Sequence, residues 1–363
     1  MGAEAQGIRQ DHTVGVCGSG IGKPTLAGGA GRSQASKRDP AQSIGFLRGG
    51  ARPPIKVIVD FIDENRDEFG VEPIVRVLRG TAARIAVSSY YAYKLRRPSA
   101  RAIRDCDLMV VIQDIYEANY SCYGVRKMWK AINRDHADRF GPVARCTVER
   151  LMRQLGIDGV RRKRKRPKTA SARAEECPED LVEREFTAPA PNCLWVADIT
   201  YVPTRSGWVY TTFILDVFHR EIVGWQVTNH MRESLARDAL TMALAAKYRA
   251  GHDVSGLVHH SDRGVQFRSI RYGETLAESA IVASVGSRGD SFDNAMAEAL
   301  NSVYKAELID RREWSGVIEV MAETSKWVAW YNHVRLHSAL HYRPPIEAHS
   351  DWIKQQTTTG VAA

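Results

Sequence analysis

The order of predicted elements between residues 192 and 285 most constrains how this chain folds. Three segments rich in β-forming residues follow one another, at residues 192–202, 208–217 and 220–228. With Gly207 at the first turn, they predict an antiparallel meander. Two helix patterns, the first with Ser234 as its expected cap, then alternate with two short apolar strands, in the order 235–248, 257–262, 272–278 and 281–285. This order predicts one mixed sheet with helices on both faces.

Two acids lie in the predicted strands. In strict alternation Asp198 shares a strand face with apolar neighbours, namely Leu194, Val196 and Val202. An ionised carboxylate on such a face is unfavourable unless a cation pairs with it. Asp262 ends a second apolar run, which Arg263 and Gly264 close. Both carboxylates are therefore expected on rigid strand positions.

A third acid lies on a helix that begins near Ser291. Apolar residues recur at helical spacing along one stripe of this helix, at Phe292, Met296, Leu300 and Val303. Polar residues form another stripe, at Asn294, Glu298, Asn301 and Lys305. Lys305 follows Glu298 by seven residues, roughly 10 Å along the axis, so the polar stripe offers a path for a phosphate backbone.

The three acids together indicate a metal-dependent site. Taken singly, each acid also fits a surface carboxylate or a helix-start acid. If they converge, two carboxylates about 4 Å apart repel by roughly 4 kcal/mol at an effective dielectric near 20. Divalent cations remove that repulsion, and an all-oxygen ligand set suits Mg²⁺ or Mn²⁺. A pair of such ions is suited to the attacking and leaving oxygens of a phosphoryl transfer.

The sequence around each acid resembles a known family. The flanking residues are Leu-Trp-Val-Ala-Asp-Ile-Thr-Tyr around Asp198, His-His-Ser-Asp-Arg-Gly around Asp262 and Asp-Asn-Ala-Met-Ala-Glu up to Glu298. Thirty-five residues separate the last two acids. Over residues 69–347 the chain resembles the integrase-core transposases of bacterial two-frame insertion sequences. The family usually has Gly-Ser-Gln-Tyr after the second Asp, where this chain has Gly-Val-Gln-Phe at residues 264–267. That departure affects packing and DNA contact rather than metal binding.

The resemblance implies a fold, a site and a reaction. It implies an α/β, RNase H-like core with a mixed five-stranded sheet, preceded by an all-α helix-turn-helix-like region. A DDE triad of Asp198, Asp262 and Glu298 would hold two Mg²⁺, for which Mn²⁺ could substitute. Lys305 and Asn294 would contact DNA near the triad. The implied activity is cleavage of the element ends followed by attack of the freed 3′-hydroxyl on a second phosphodiester.

The resemblance also implies partners. These are double-stranded DNA with the terminal inverted repeats, target DNA, a small helix-turn-helix protein from the upstream frame, and further copies of this chain assembled on DNA. Two alternatives stay open: a nuclease of the same fold without strand transfer, and a non-enzymatic DNA-binding relic or regulator. Any missing acid would favour the latter, and all three are present.

A helix-turn-helix-like region is predicted before the core. Residues 124–133 and 145–155 have helical apolar spacing, and Gly156 ends the second helix. Exposed arginines on that second helix are placed to enter a major groove, namely Arg145, Arg150 and Arg153. A basic run follows and can neutralise phosphates, at Arg161, Arg162, Lys163, Arg164, Lys165 and Arg166. A helical hairpin without DNA contact, and a solubilising linker or localisation-like signal, are the alternatives.

Composition and pattern divide the chain further. The net charge of +9 and pI of about 9.3 over 363 residues favour a polyanionic partner. Before the core we expect a disordered Gly/Ala-rich tail (1–54), a helical region (55–104), the helix-turn-helix-like region with its basic run (105–168) and a linker (169–192). The catalytic core (193–312), a helical extension (313–350) and a tail (351–363) are expected to follow. In the extension, Arg335 and His337 recur in the family and are expected near DNA.

Cysteine usage and hydropathy indicate the compartment. The six cysteines are scattered, without Cys-x-x-Cys pairs, which predicts free thiols in a reducing cytosol. The family resemblance implies that this is a bacterial cytoplasm and that the protein is associated with the nucleoid. No run of about 18 apolar residues occurs, so no membrane partner is expected. His259 and His260 are adjacent on a predicted strand and point to opposite faces, so a structural role is expected for both.

Overall fold

A computed structural model of the chain describes residues 52–161, 180–182, 185–262, 264–286 and 294–360. The chain divides into two compact units, Met1–Asp107 and Leu108–Ala363. The predicted tail 1–54 lies almost wholly outside the described residues, as do Arg162, Lys163, Arg164, Lys165 and Arg166 of the basic run.

The first unit is helical. It contains α1 (Ile55–Phe69), α2 (Val71–Leu78) and α3 (Val87–Leu95). Apolar side chains at helical spacing form its own core, including Ile58, Ile62, Ile74, Leu78 and Tyr90. The Tyr90 hydroxyl donates to the Asp63 carboxylate at 2.7 Å, which fixes α3 against α1. The predicted helical region is confirmed here.

A long helix, α4 (Ala100–Ala118), spans the division between the units. This helix is absent from the elements predicted above, and the expected boundary after residue 104 lies within it. Its apolar residues are spread around the helix instead of forming one stripe: Leu108, Val111 and Ile112 are buried, whereas Ile103 and Val110 are exposed. A pattern of this kind gives a weak periodic signal.

The helix-turn-helix-like region opens the second unit. It consists of α5 (Val125–Asp135), the short α6 (Ala137–Phe140) and α7 (Arg145–Leu155). The Asn133 side chain accepts from the Val143 backbone N–H at 2.9 Å and donates to the Val143 carbonyl at 3.1 Å, which holds the turn between the helices. Gly156, at φ +67°, ends α7 as predicted.

A mixed five-stranded sheet forms the centre of the second unit. Its strands are β1 (Leu194–Thr204), β2 (Gly207–Asp216), β3 (Ile222–Thr228), β4 (Val258–Ser261) and β5 (Val282–Val285). The spatial order is β3-β2-β1-β4-β5. The first three strands pair antiparallel, and β4 and β5 extend the sheet in parallel from β1. The predicted mixed sheet is confirmed.

Helices cover both faces of this sheet. On one face lie α8 (Glu233–Arg249) and α9 (Ile270–Glu278), packed over Trp195 and Ile214. Gly224 lets α8 approach β3 closely, because a Cβ at this position would lie 2.3 Å from the Ala239 carbonyl oxygen. The predicted Ser234 cap is wrong, since α8 already begins at Glu233 and no side chain caps it.

The other face is covered by the remaining helices. These are α10 (Ala295–Glu307) and α11 (Val317–His333), which pack on β1 to β3, and α12 (Pro345–Gly360), which packs on α11. Tyr304 and Trp327 from α10 and α11 meet Phe213 of β2, with ring centroids 4.9 and 5.9 Å from it. The segment predicted as a tail at 351–363 is helical through Gly360.

Candidate active site

The strand register brings two of the predicted acids side by side. Along the parallel pairing of β1 with β4, Ala197 stands opposite Ser261. An acid follows each of these residues, since Asp198 comes after Ala197 and Asp262 comes after Ser261. Since adjacent strands are about 5 Å apart, the two carboxylates start from neighbouring positions at the end of this ladder.

Helix α10 is fixed to β1 on either side of Glu298. Asn294, at the start of the helix, donates its amide to the Ala197 carbonyl at 2.9 Å. Asn301, three residues beyond Glu298, donates to Asp198 Oδ2 at 2.8 Å. These two bonds align the helix with the strand that carries Asp198, and Glu298 lies between them.

The carboxylates influence one another electrostatically. Burial raises the pKa of Asp198 to about 7, and the negative charge of Asp262 is the next largest cause, with a smaller contribution from Glu298. Hydrogen bonds from Asn301 and the Ile199 backbone N–H oppose this rise in pKa. Burial also raises the pKa of Asp262. The charges of Asp262 and Glu298 thus both act on Asp198.

The donor set fits a hard divalent cation. The three acids offer only carboxylate oxygens, and a bound cation would offset both the burial and the neighbouring negative charge that raise the pKa of Asp198. Within the described ranges, no three His, Cys, Asp or Glu side chains already stand in a metal-ligand arrangement. The all-carboxylate donor set suits a hard divalent cation such as Mg²⁺ or Mn²⁺.

The loop after Asp262 is built around Gly264. Its backbone N–H donates to Asp262 Oδ1 at 2.9 Å. A Cβ on Gly264 would come within 2.9 Å of that oxygen and 3.2 Å of Gln266 Oε1, so only glycine fits without displacing the carboxylate. Phe267 packs in the core against Tyr272, whereas Val265 is exposed, so the departure from the family pattern combines one core residue and one surface residue.

The two histidines before Asp262 are internal. His259 Nε2 is 3.0 Å from the Tyr272 hydroxyl, and His260 Nδ1 is 2.9 Å from Ser284 Oγ. Burial lowers the pKa of His259 to about 4, so this imidazole is neutral at physiological pH. The expected structural role agrees with these contacts.

The predicted DNA-contacting residues occupy different environments. Lys305 is partly exposed on α10, two turns beyond Glu298. On α7, Arg145 and Arg153 are exposed and Arg150 is partly buried. Arg161 is exposed at the end of the described segment.

Three other predicted DNA contacts lie inside the protein. Asn294 is 5% exposed and uses its amide on β1. Arg335 is 7% exposed and binds Glu307 through two bonds of 2.6 and 2.8 Å. His337 is equally buried next to Arg335. The structure thus gives Asn294 and Arg335 internal partners, which sequence recurrence alone does not distinguish from DNA contacts.

Asn301 lies on the polar stripe of Glu298, but its role is not evident from the sequence. The available signal was its position three residues after Glu298, on the same side of the helix. Its bond to Asp198 depends on how α10 crosses β1, which requires the tertiary structure.

Family models match most of the second unit. Integrase core domain models match residues 188–291 and 279–345, and an HTH-like domain model matches residues 104–165. The transposase for insertion sequence element IS629 of Shigella sonnei is 44% identical over 296 residues, which cover 80% of this chain and 95% of that protein. The chain belongs to the DDE transposases of insertion sequences.

A second relative of this transposase occurs in Mycobacterium tuberculosis, in insertion sequence element IS986/IS6110. It is 43% identical over 274 residues, which cover 75% of this chain and 97% of that protein. Among solved structures, the HTLV-2 integrase catalytic core domain in complex with magnesium is 14% identical with a TM-score of 0.33, covering 44% of this chain and 98% of that one. The enzyme class is thus established by the sequence relatives and the family models.

No helix in the described part of this transposase is long and apolar enough to cross a membrane.

Proposed function

We propose that Asp198, Asp262 and Glu298 are the catalytic carboxylates of this transposase, which cleaves the element ends and joins the freed 3′-hydroxyls to target DNA. The observation that carries this proposal is the position of Asp198 and Asp262 one residue beyond the Ala197–Ser261 pair of adjacent parallel strands. The charge of Asp262, which helps to raise the pKa of Asp198, and the presence of Glu298 on the helix fixed over β1 support it.

The three acids would hold two Mg²⁺ ions, with Mn²⁺ able to substitute. When bound, such ions neutralise the charge that develops on the attacking and leaving oxygens of a phosphodiester. The protein holds the acids in place for this role. Asn301 and the Ile199 N–H orient the two oxygens of Asp198, and the Gly264 N–H orients Asp262.

DNA contact would extend from this site in two directions. Lys305 continues the polar stripe of α10 beyond Glu298 and is placed to bind the phosphate backbone. The helix-turn-helix-like region would bind DNA through its cationic side chains. These are the arginines of α7 and the basic run, namely Arg145, Arg150, Arg153 and residues 161–166.

The assembly would include other proteins. Two element ends must be cut and joined together, so we propose that several copies of the chain act on one DNA complex in the bacterial cytoplasm, at the nucleoid. The helix-turn-helix protein of the upstream frame would supply recognition of the terminal inverted repeats.

A strand-transfer assay tests this function. Labelled duplexes carrying the element ends are incubated with Mg²⁺, target DNA, the upstream-frame protein and either the natural chain or Glu298→Gln. The matched control is Glu278→Gln, which makes the same change at an exposed position on α9. Joined products are expected with the natural chain and the control and not with Glu298→Gln.

Other products would contradict the proposal. Nicks without joined products in the natural chain would indicate a nuclease of the same fold. DNA binding without any cleavage, in the natural chain and in both variants, would indicate a regulator. Joined products formed equally well by Glu298→Gln would remove Glu298 from the catalytic set.

A further inference from the structure

A polar cavity lies in the second unit, away from the three acids. It has a volume of about 320 Å³. Four Lys, Arg and His side chains from three parts of the chain line it, and we call it the basic cavity: Lys127 of α5, Arg220 of the β2–β3 turn, and Arg335 and His337 after α11. It therefore joins the helix-turn-helix-like region to the catalytic core.

The basic cavity lies on a different side of α10 from Glu298. The helix contributes Met296, Ala299 and Val303 to its wall, at helical spacing. Glu298 and Lys305 lie on another stripe of the helix, because each residue advances about 100° around the axis. A ligand in the basic cavity is thus separate from the bond that the acids would cleave.

Arg220 is the most informative side chain in the cavity. Its backbone has φ +62°, a left-handed conformation uncommon for arginine, which the turn between β2 and β3 imposes. The side chain is partly buried against the Met296 sulfur. Among the described residues no carboxylate lies within 4 Å of this guanidinium, although the charge of Asp216 opposes the lowering of the Arg220 pKa by burial. A partly desolvated guanidinium of this kind favours an anionic ligand.

Positive charge exceeds negative charge around the cavity. Glu307 pairs with Arg335 at 2.6 Å and lies 3.9 Å from Lys127, so this carboxylate contacts two of the three cations of the cavity. His337 senses this charge: burial lowers its pKa well below the usual value, and Arg335, Lys127 and Arg220 lower it further. The neutral imidazole leaves the positive charge of the cavity to the lysine and the two arginines.

We propose that the basic cavity binds a phosphate group. Guanidinium groups bind phosphate through directed N–H donors, and a lysine ammonium adds a compact positive charge. The phosphate can belong to the DNA backbone, at a nucleotide other than the one being cleaved, or to free phosphate. Only the DNA source rests on the proposed function.

Two measurements on the full chain test the proposal. The variant is Arg220→Gln, and the control is Arg249→Gln, which removes an exposed arginine at the end of α8. In calorimetric titration with inorganic phosphate, the natural chain and the control are expected to bind equally, and Arg220→Gln at least tenfold more weakly. Comparison of the variants separates the cavity from phosphate held by the basic run.

The second measurement identifies the source of the phosphate. Affinity for duplex DNA is measured by fluorescence anisotropy at several NaCl concentrations. If the cavity binds a DNA phosphate, the slope of log K against log[NaCl] falls by about 0.9 in Arg220→Gln. An unchanged slope with lost phosphate binding assigns the cavity to free phosphate.

The proposal is overturned if Arg220→Gln binds both inorganic phosphate and DNA as the control does. Should Arg220→Gln fail to fold by thermal unfolding, Lys127→Gln replaces it, with the same expected losses. Neither measurement requires DNA cleavage or joining, so failure of the proposed transposition chemistry would leave the result on the cavity intact.

Discussion

Replacing Asn301 with alanine tests whether this side chain positions the Asp198 carboxylate. The Asn301 side chain is 2% exposed and donates to Asp198 Oδ2 at 2.8 Å. A hydrogen bond to a charged group contributes roughly 1.5–3 kcal/mol. Loss of this bond frees the Asp198 carboxylate to rotate. At 1.36 kcal/mol per factor of ten, the affinity of the site for Mg²⁺ is expected to fall by about 10- to 150-fold.

The measurement is the rate of end cleavage as a function of Mg²⁺ concentration at saturating DNA. Asn301→Ala is expected to raise the Mg²⁺ concentration at half-maximal rate, since partners of metal ligands typically change metal affinity by about 10- to 100-fold. DNA affinity measured without Mg²⁺ is expected to stay unchanged. That combination distinguishes positioning of Asp198 from a general loss of structure.

Ser302→Ala is the matched control for this experiment. Ser302 is the next residue on the same helix, and its hydroxyl donates to the Glu298 backbone carbonyl instead of to a carboxylate. It is expected to keep the Mg²⁺ dependence of the natural chain. The reasoning fails if Asn301→Ala, folded by thermal unfolding, shows the natural Mg²⁺ dependence and cleavage rate.

Three further predictions concern stability. Arg335→Met leaves Glu307 as a buried charge without its bidentate partner, so urea denaturation is expected to show a loss of about 3–5 kcal/mol, which Glu307→Met largely restores in the double variant; an additive double variant would contradict this. Gly224→Ala places a methyl group 2.3 Å from the Ala239 carbonyl, and a loss of about 1–3 kcal/mol with a lower Tm is expected, whereas an unchanged Tm would show that α8 can shift. Burial raises the pKa of Glu221, but its partners lower that pKa from 4.5 to about 2. About 3 kcal/mol of folding stability is therefore present above pH 4.5 and is lost as pH falls toward 2. The Glu221→Gln variant is expected to show little change in stability over that pH range.

The partners of Glu221 explain the last prediction. His219 Nε2 and Lys247 Nζ lie 2.8 and 2.9 Å from the same carboxylate oxygen, which favours the ionised form of Glu221. The folded state therefore binds fewer protons than the unfolded chain at acidic pH, and stability must fall as the carboxylate is protonated.

Sequence patterns predicted the mixed sheet because its strands and helices each have a local signal. The alternation around Asp198 and the apolar run before Asp262 depend on local β-structure, and the helical spacing after Glu298 depends on local helix formation. The matching residues of the family then supplied the long-range pairing of the strands. Local periodicity does not contain that information.

Other features depend on packing that local patterns do not encode. Polar stripes do not distinguish an asparagine facing DNA from one facing a strand, so Asn294 was predicted as a DNA contact although it bonds to Ala197. The sequence likewise does not show that Arg335 pairs with Glu307, because this partner lies 28 residues away in the chain. Ser234 was predicted as a cap, but the helix begins one residue earlier, at Glu233.

Because β1 and β4 pair in parallel, the site formed by Asp198 and Asp262 tolerates insertions in the loop before β4 but not a single-residue insertion within β4. One residue added within β4 would turn the Asp262 side chain to the opposite face of the sheet, while its distance along the strand would change by only about 3 Å. Residues added between α8 and β4, near the exposed Gly251, would leave both acids on the same face. Related transposases can therefore differ in the spacing of their first two acids without losing the site, provided that the strands beside those acids keep their count.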